Sequence, residues 1–140
     1  MHTQGETQSQ QFFKNILSGS AQVEANSMVH VNRGAQLSES KQLIRNLMLS
    51  DDARVYARPQ LQIYADDVKC AHGAATGQLD DNELFYLQSR GIDRHLARYL
   101  MTTAFADEIL EHFEPEVFRN RLESRVKALS QKMIQPERKS

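Results

Sequence analysis

Residues 59–80 read PQLQIYADDVKCAHGAATGQLD, and residues 81–92 continue as DNELFYLQSRGI. The chain changes character inside this stretch. Its front carries the short apolar run 61–64 and a bend signal at Asp66 and Asp67, since paired aspartates suit local backbone hydrogen bonds. Its back carries Asp80, which can cap a helix with Glu83 three residues on, in the manner of a capping box. Leu84, Phe85 and Leu87 supply that helix with apolar contacts, and Gly91 ends it as a C′ glycine does. Strands are therefore expected before this stretch and helices after it.

Working back towards the start, short apolar runs alternate with polar turns. The runs are Phe12 and Phe13, Ile16 and Leu17, 28–31, Leu43 and Ile44, 47–49, and Val55 and Tyr56. Turn signals stand at 18–20, 32–34, 50–52 and 58–59. Strands so short and so regularly spaced predict a sandwich, a barrel or a β-solenoid, and periodicity does not choose among them. Residues 43–49 fit a helical turn equally well.

Working forward, Asp93 caps a second helix whose apolar positions are Leu96, Tyr99, Leu100, Thr103, Ala106, Ile109, Leu110 and Phe113, close to a 3.6-residue period. Pro115 suits the first turn of a third helix, with Phe118, Leu122, Val126, Leu129 and Met133 on one stripe. The expected organisation is a disordered tail over 1–10, β turns over 11–79, a helical domain over 80–134 and a second tail over 135–140.

Composition narrows the function classes. A net charge of −1 without a basic block argues against a general nucleic-acid binder. No apolar run approaches the ~20 residues of a membrane span. The polar start has no signal-peptide pattern, which makes a cytosolic home the default. The single cysteine excludes an internal disulfide and an all-cysteine metal site within one chain.

Cys70 and His72 are the most chemical pair. Two residues apart on an extended strand, they point to one face, and thiolate with imidazole suits iron or zinc. A buried cysteine beside a hydrogen-bonded histidine is the plainer reading. Asp66 and Asp67 serve a bend better than acid–base work. Residues 73–77, GAATG, lack the Lys-Ser/Thr of a phosphate loop and read as a crossing from sheet to helix. The Leu84, Phe85, Tyr86 and Leu87 cluster puts apolar groups on more than one helix face, which points to a protein-binding surface with Arg90 as a charged anchor.

The segment 59–92 resembles the signature region of SufD in the SufB/SufD family of iron–sulfur cluster assembly scaffolds. Residues 46–52, NLMLSDD, resemble the family's Asn-Leu-Leu-Leu-Ser pattern, and 13–19, FKNILSG, also fits. The similarity runs from about residue 12 to 113, and 68–73, VKCAHG, looks like SufD more than SufB. Residues 22–28 depart from the family's Gly-x-Phe-x-Gly pattern, with Glu24 for an aromatic and Asn26 for a glycine.

The resemblance implies an α+β fold: the end of a right-handed parallel β-helix followed by a C-terminal three-helix domain. It also implies a non-catalytic scaffold subunit of a cytoplasmic complex, with a SufB-like paralogue and a SufC-like ABC ATPase as partners. An iron–sulfur cluster would be held transiently at the subunit interface, and ATP would enter only through the partner ATPase. In that picture His72 faces the paralogue during cluster formation and Cys70 matches a family cysteine, both as transient metal ligands. Leu84, Phe85, Tyr86, Leu87 and Arg90 dock the ATPase. Exposed strand edges imply a homodimer when the chain is alone. The rivals are a SufB-like paralogue of the same complex and a β-helix carbohydrate-active enzyme. The enzyme would need a line of carboxylates or cations along one face, which the sequence does not offer.

Overall fold

The computed structural model describes residues 1–134. Five strands precede three helices: β1 Gln8–Leu17, β2 Gln22–Val31, β3 Ser38–Met48, β4 Arg54–Ile63, β5 Val68–Gln78, α1 Asp81–Ser89, α2 Arg94–Leu110 and α3 Glu116–Ile134. The architecture is mixed α and β, with the strands in two parallel sheets, β1-β3-β5 and β2-β4, and no closed barrel among the described residues. Two compact units interleave along the chain. One takes residues 1–15, 22–46 and 54–76; the other takes 16–21, 47–53 and the chain from Gly77 onward.

In the first unit, β2 and β4 pair in parallel at a constant spacing of 32, from Gln22 opposite Arg54 to Val31 opposite Ile63. The other sheet keeps a similar count. Side chains 31 apart bond between β1 and β3, as Ser9 Oγ does to Ser40 Oγ at 3.0 Å and Asn15 Nδ2 to Asn46 Oδ1 at 2.8 Å. A spacing that stays constant along both strands is the mark of parallel pairing.

Alternation along β3 divides its side chains between two faces. Ser38, Ser40, Gln42, Ile44 and Asn46 are buried. Glu39, Lys41, Leu43 and Arg45 lie on the other face. An apolar cluster of Val29, Val31, Ala35 and Ala65, joined by Leu61, Val68 and Cys70, fills part of the interior. Beside it lie Ile44 and polar side chains that bond from strand to strand, with Ser27 Oγ donating to Gln11 Oε1 at 2.6 Å and Gln42 Nε2 donating to Ser27 Oγ at 2.9 Å.

Four expectations change here. Residues 1–10 are not a disordered tail. His2 bridges to Val31, its amide donates to the His30 carbonyl at 2.8 Å, and its ring meets Thr7 Oγ1 at 2.5 Å and Ser9 Oγ at 2.7 Å. The polar start is ordered because its side chains complete the polar interior. Residues 43–49 belong to strand β3 as far as Met48, with no helical turn. Pro59 lies within β4 and makes no turn; β4 has a single neighbour, so a residue without an N–H is tolerated there. Residues 73–77 are strand too, because β5 runs on to Gln78. The expected tail 135–140 lies outside the described residues.

The second unit carries the helices. Asp80 accepts from the Asn82 and Glu83 amides, and Asp93 accepts from those of His95 and Leu96, so both expected caps are present. After the C-cap Arg90, Gly91 adopts φ +86°; its amide donates to the Gln88 carbonyl and that of Ile92 to the Leu87 carbonyl. These two bonds make a Schellman turn, which a side chain at this φ would strain.

Helix α2 packs on both α1 and α3. Its buried residues are Ala97, Thr102, Thr103, Ala106 and Leu110, whereas Leu96 and Leu100 stand outside. Thr103, Ala106 and Leu110 of the expected stripe are thus buried, while Ala97 and Thr102 stand inside in place of the two leucines. On α3, Ser130 and Ile134 are buried, and Phe118 and Leu129 of the expected stripe are exposed. Burial and Glu123 raise the Asp107 carboxyl on α2 above its usual range, with Lys127 opposing and Glu111 adding to the rise. Lys127 donates to Glu123 one turn earlier on α3. No described helix is long and apolar enough to cross a membrane.

Candidate functional site

The site follows from counting along β3 and β5. Asn46 Nδ2 donates to Thr76 Oγ1 at 2.9 Å and Lys69 Nζ to Glu39 Oε1 at 3.2 Å, both pairs 30 residues apart. A side chain added at Gly73 would meet Leu43 Cδ1 at 3.4 Å, the same spacing again. Glu39 with Lys69 and Leu43 with Gly73 occupy the outer face. The inner face then holds Ser40 with Cys70, Gln42 with His72 and Asn46 with Thr76.

By alternation along β5, Cys70 and His72 fall in the file that the Asn46–Thr76 pair marks as inner. Cys70 is half-buried against the apolar cluster. A hollow of about 340 Å³ reaches it beside Ser9, Ser40, Lys41 and Lys69. His72 is exposed, since β5 is the outer strand of its sheet. Neither side chain has a hydrogen-bond partner among the described residues. No group of three or more His, Cys, Asp or Glu converges to hold a metal ion among them. This chain thus presents two ligand types side by side without a full coordination shell.

The other candidates have structural work. Asp67 lies in the bend before β5, where its amide donates to Gln36 Oε1 and its carbonyl accepts from the Leu37 amide. His30 shares its two ring nitrogens between Gln62 Oε1 at 3.1 Å and Asn32 Oδ1 at 2.8 Å, and its ring tilts against Tyr64. The buried His2 and Gln42 escape a reading by apolar runs. A search for like residues about 31 apart, such as Ser9 and Ser40 or Asn15 and Asn46, finds the files that hold them.

The α1 cluster separates into two groups. Leu84 is buried at 3% exposure and Leu87 is half-buried, so these two pack the helical unit. Leu84, expected among the docking contacts, is buried within the helical unit. Phe85 and Tyr86 are exposed at 72% and 57%, and the Arg90 guanidinium lies 5.3 Å from the Tyr86 ring centroid. Such stacking holds a cation and an aromatic ring as one outward-facing element.

Residues 1–105 match the family described as SUF system FeS cluster assembly, SufBD core domain. The chain belongs to the SufB/SufD family. Among curated relatives, an iron–sulfur cluster assembly SufBD family protein of Synechocystis is 45% identical over 86% of this chain and 26% of its own length. The SufD protein of Escherichia coli is 37% identical over 89% of this chain and 30% of its own length. The chloroplastic protein ABCI7 of Arabidopsis thaliana is 45% identical over 80% and 23%. This SufB/SufD chain spans under a third of the length of these relatives. Membership places it in the SUF system of iron–sulfur cluster assembly, as the resemblance of 59–92 to SufD implies.

Proposed function

We propose that this chain is a scaffold segment, without catalysis of its own, on which an iron–sulfur cluster is assembled between subunits in the cytosol. The observation that carries this is the pair Cys70 and His72, on one interior-facing strand surface at the outer strand of its sheet, in a chain of the SufB/SufD family. Two ligands are half of a usual four-ligand shell, so a SufB-like paralogue supplies the others and the cluster leaves once built.

The strands are read as the end of a right-handed parallel β-helix. The constant spacings of 30 to 32 between paired residues support this, as each turn of such a coil takes the same length of chain. An ABC-type ATPase of the SufC kind docks on the helical unit through Phe85, Tyr86 and Arg90, with Leu87 at the margin, and ATP acts only there. Exposed, outward-facing aromatics with an arginine are the residue types that anchor interfaces.

The test is reconstitution with a SufB-like subunit, the ATPase, iron and sulfide, read by visible absorbance and by co-purification. His72→Ala should leave the complex assembled and lower its cluster content. Full loading by the variant would make His72 structural. Loss of the complex would make it an interface residue and remove the ligand role.

A further inference from the structure

Gln42 is among the most buried side chains in the molecule, at 1% exposure. Its amide nitrogen is fully used, donating to Ser27 Oγ at 2.9 Å and to Gln11 Oε1 at 3.2 Å. Its amide oxygen Oε1 is buried and has no partner. A buried carbonyl oxygen without a donor is costly, and native structures seldom keep one without a reason. Turning the amide over would only exchange the orphan, leaving the nitrogen unpaired at the same place.

The 30-residue spacing fixes what stands next to it. The residue beside Gln42 on β5 is His72, one strand spacing of about 4.8 Å away. Its imidazole has no hydrogen-bond partner among the described residues. The flanking interior positions offer less. Ile44 and Ala74 have no polar side-chain atom, and the Cys70 thiol, one pair along, is a weak donor. An orphan acceptor and an unpartnered N–H donor are thus neighbours in one file.

We propose that Gln42 is the positioning residue of His72: the two are not bonded in this structure, and a turn of the imidazole towards β3 brings its N–H to Oε1, which accepts it and fixes the ring tautomer. One ring nitrogen is then tied inward, and the other presents its lone pair to whatever approaches β5. Histidines that bind metal usually have their second nitrogen held in this way, which sets the orientation and basicity of the ligating one. Ser27 and Gln11 hold the amide from the other side, so the acceptor is fixed before any cluster forms. For cluster chemistry the inference rests on the role proposed above for His72; the pairing of the two side chains does not.

Long-range nitrogen–proton NMR on the histidine-labelled chain, at a pH where His72 is neutral, reads the tautomer directly. The parent should show a single tautomer at His72. Gln42→Met keeps the side-chain length and cannot accept, and it should release His72 to a mixture. Iron affinity of the reconstituted complex should fall about 10-fold in this variant. A mixture of tautomers in the parent overturns the proposal, and this needs no variant to fold. A single tautomer that survives Gln42→Met in a folded chain also overturns it, because another group is then responsible. If the tautomer is fixed by Gln42 yet His72→Ala loads cluster normally, the positioning stands and the cluster role of His72 fails.

Discussion

Asn46 is the clearest place to weigh the polar interior. It is buried at 3% exposure and links three strands, accepting from Asn15 Nδ2 at 2.8 Å and donating to Thr76 Oγ1 at 2.9 Å and the Ala75 carbonyl at 3.3 Å. Asn46→Ala breaks all three bonds at once. Each is worth about 1 kcal/mol net, and the truncated volume adds a smaller cavity cost, for a gross loss of about 3–4 kcal/mol and about 2–3 kcal/mol once water replaces part of it. Part of the penalty is recovered, because Thr76 is exposed and water can replace its lost partner. In a chain of this length the loss corresponds to a fall of roughly 6–15 °C in the melting temperature. Urea denaturation followed by far-ultraviolet circular dichroism measures it, with Thr76→Ala as a control expected to cost under about 1 kcal/mol. If Asn46→Ala stays within about 0.5 kcal/mol of the parent, the side-chain files do not hold the strands together, and the account of the interior is wrong.

Other outcomes follow from single contacts. Asp107 has a raised carboxyl pKa, so the folded chain keeps a proton that the unfolded chain gives up near the usual value of about 3.9. Its contribution is present at low pH and is lost as pH rises through the raised value. Asp107→Asn should therefore raise the melting temperature at neutral pH, and the gain should shrink below the usual aspartate range; a gain that is independent of pH would contradict this. Gly5→Ala would set a Cβ 2.7 Å from the Gln36 carbonyl oxygen and should cost about 1–3 kcal/mol in thermal or urea unfolding. Phe85→Ala should change stability by under about 0.5 kcal/mol, since the ring is mostly exposed, yet weaken ATPase binding by ~2 kcal/mol or more in calorimetry. Static light scattering across concentrations should show self-association, because β1 and β5 are both outer strands; a monomer at every concentration would rule that out.

The helix ends were legible because capping is local. Asp80, Asp93 and Gly91 each act within a few residues, and the structure places all three as their chemistry requires. The strands were legible only in pieces. A reading that follows apolar runs breaks β3 at Ser38, Ser40 and Gln42, yet these residues are buried because each finds a partner about 31 residues away. Burial of that kind depends on pairing over a distance that no local window spans. The helical stripes were legible in part. Thr103, Ala106 and Leu110 are buried where the 3.6-residue spacing puts them, whereas Ala97 takes an interior place that bulkier Leu96 and Leu100 do not. At the candidate site, the shared face of Cys70 and His72 was legible from alternation alone. The buried amide of Gln42 beside them was not, since it needs the spacing between strands.

The constant spacing of paired residues also governs which changes the gene can absorb. Losing one residue inside β3 would turn every later side chain of that strand over, bringing Lys41 and Arg45 inward and sending Ser40 and Asn46 out. The partners on β1 and β5 would lose their counterparts together. Substitution is therefore the only tolerable change within the strands. The corners keep the same count, with the Leu37 amide on the Asp67 carbonyl and Ser50 Oγ on the Gly19 carbonyl, so an insertion or deletion there must spare these bonds.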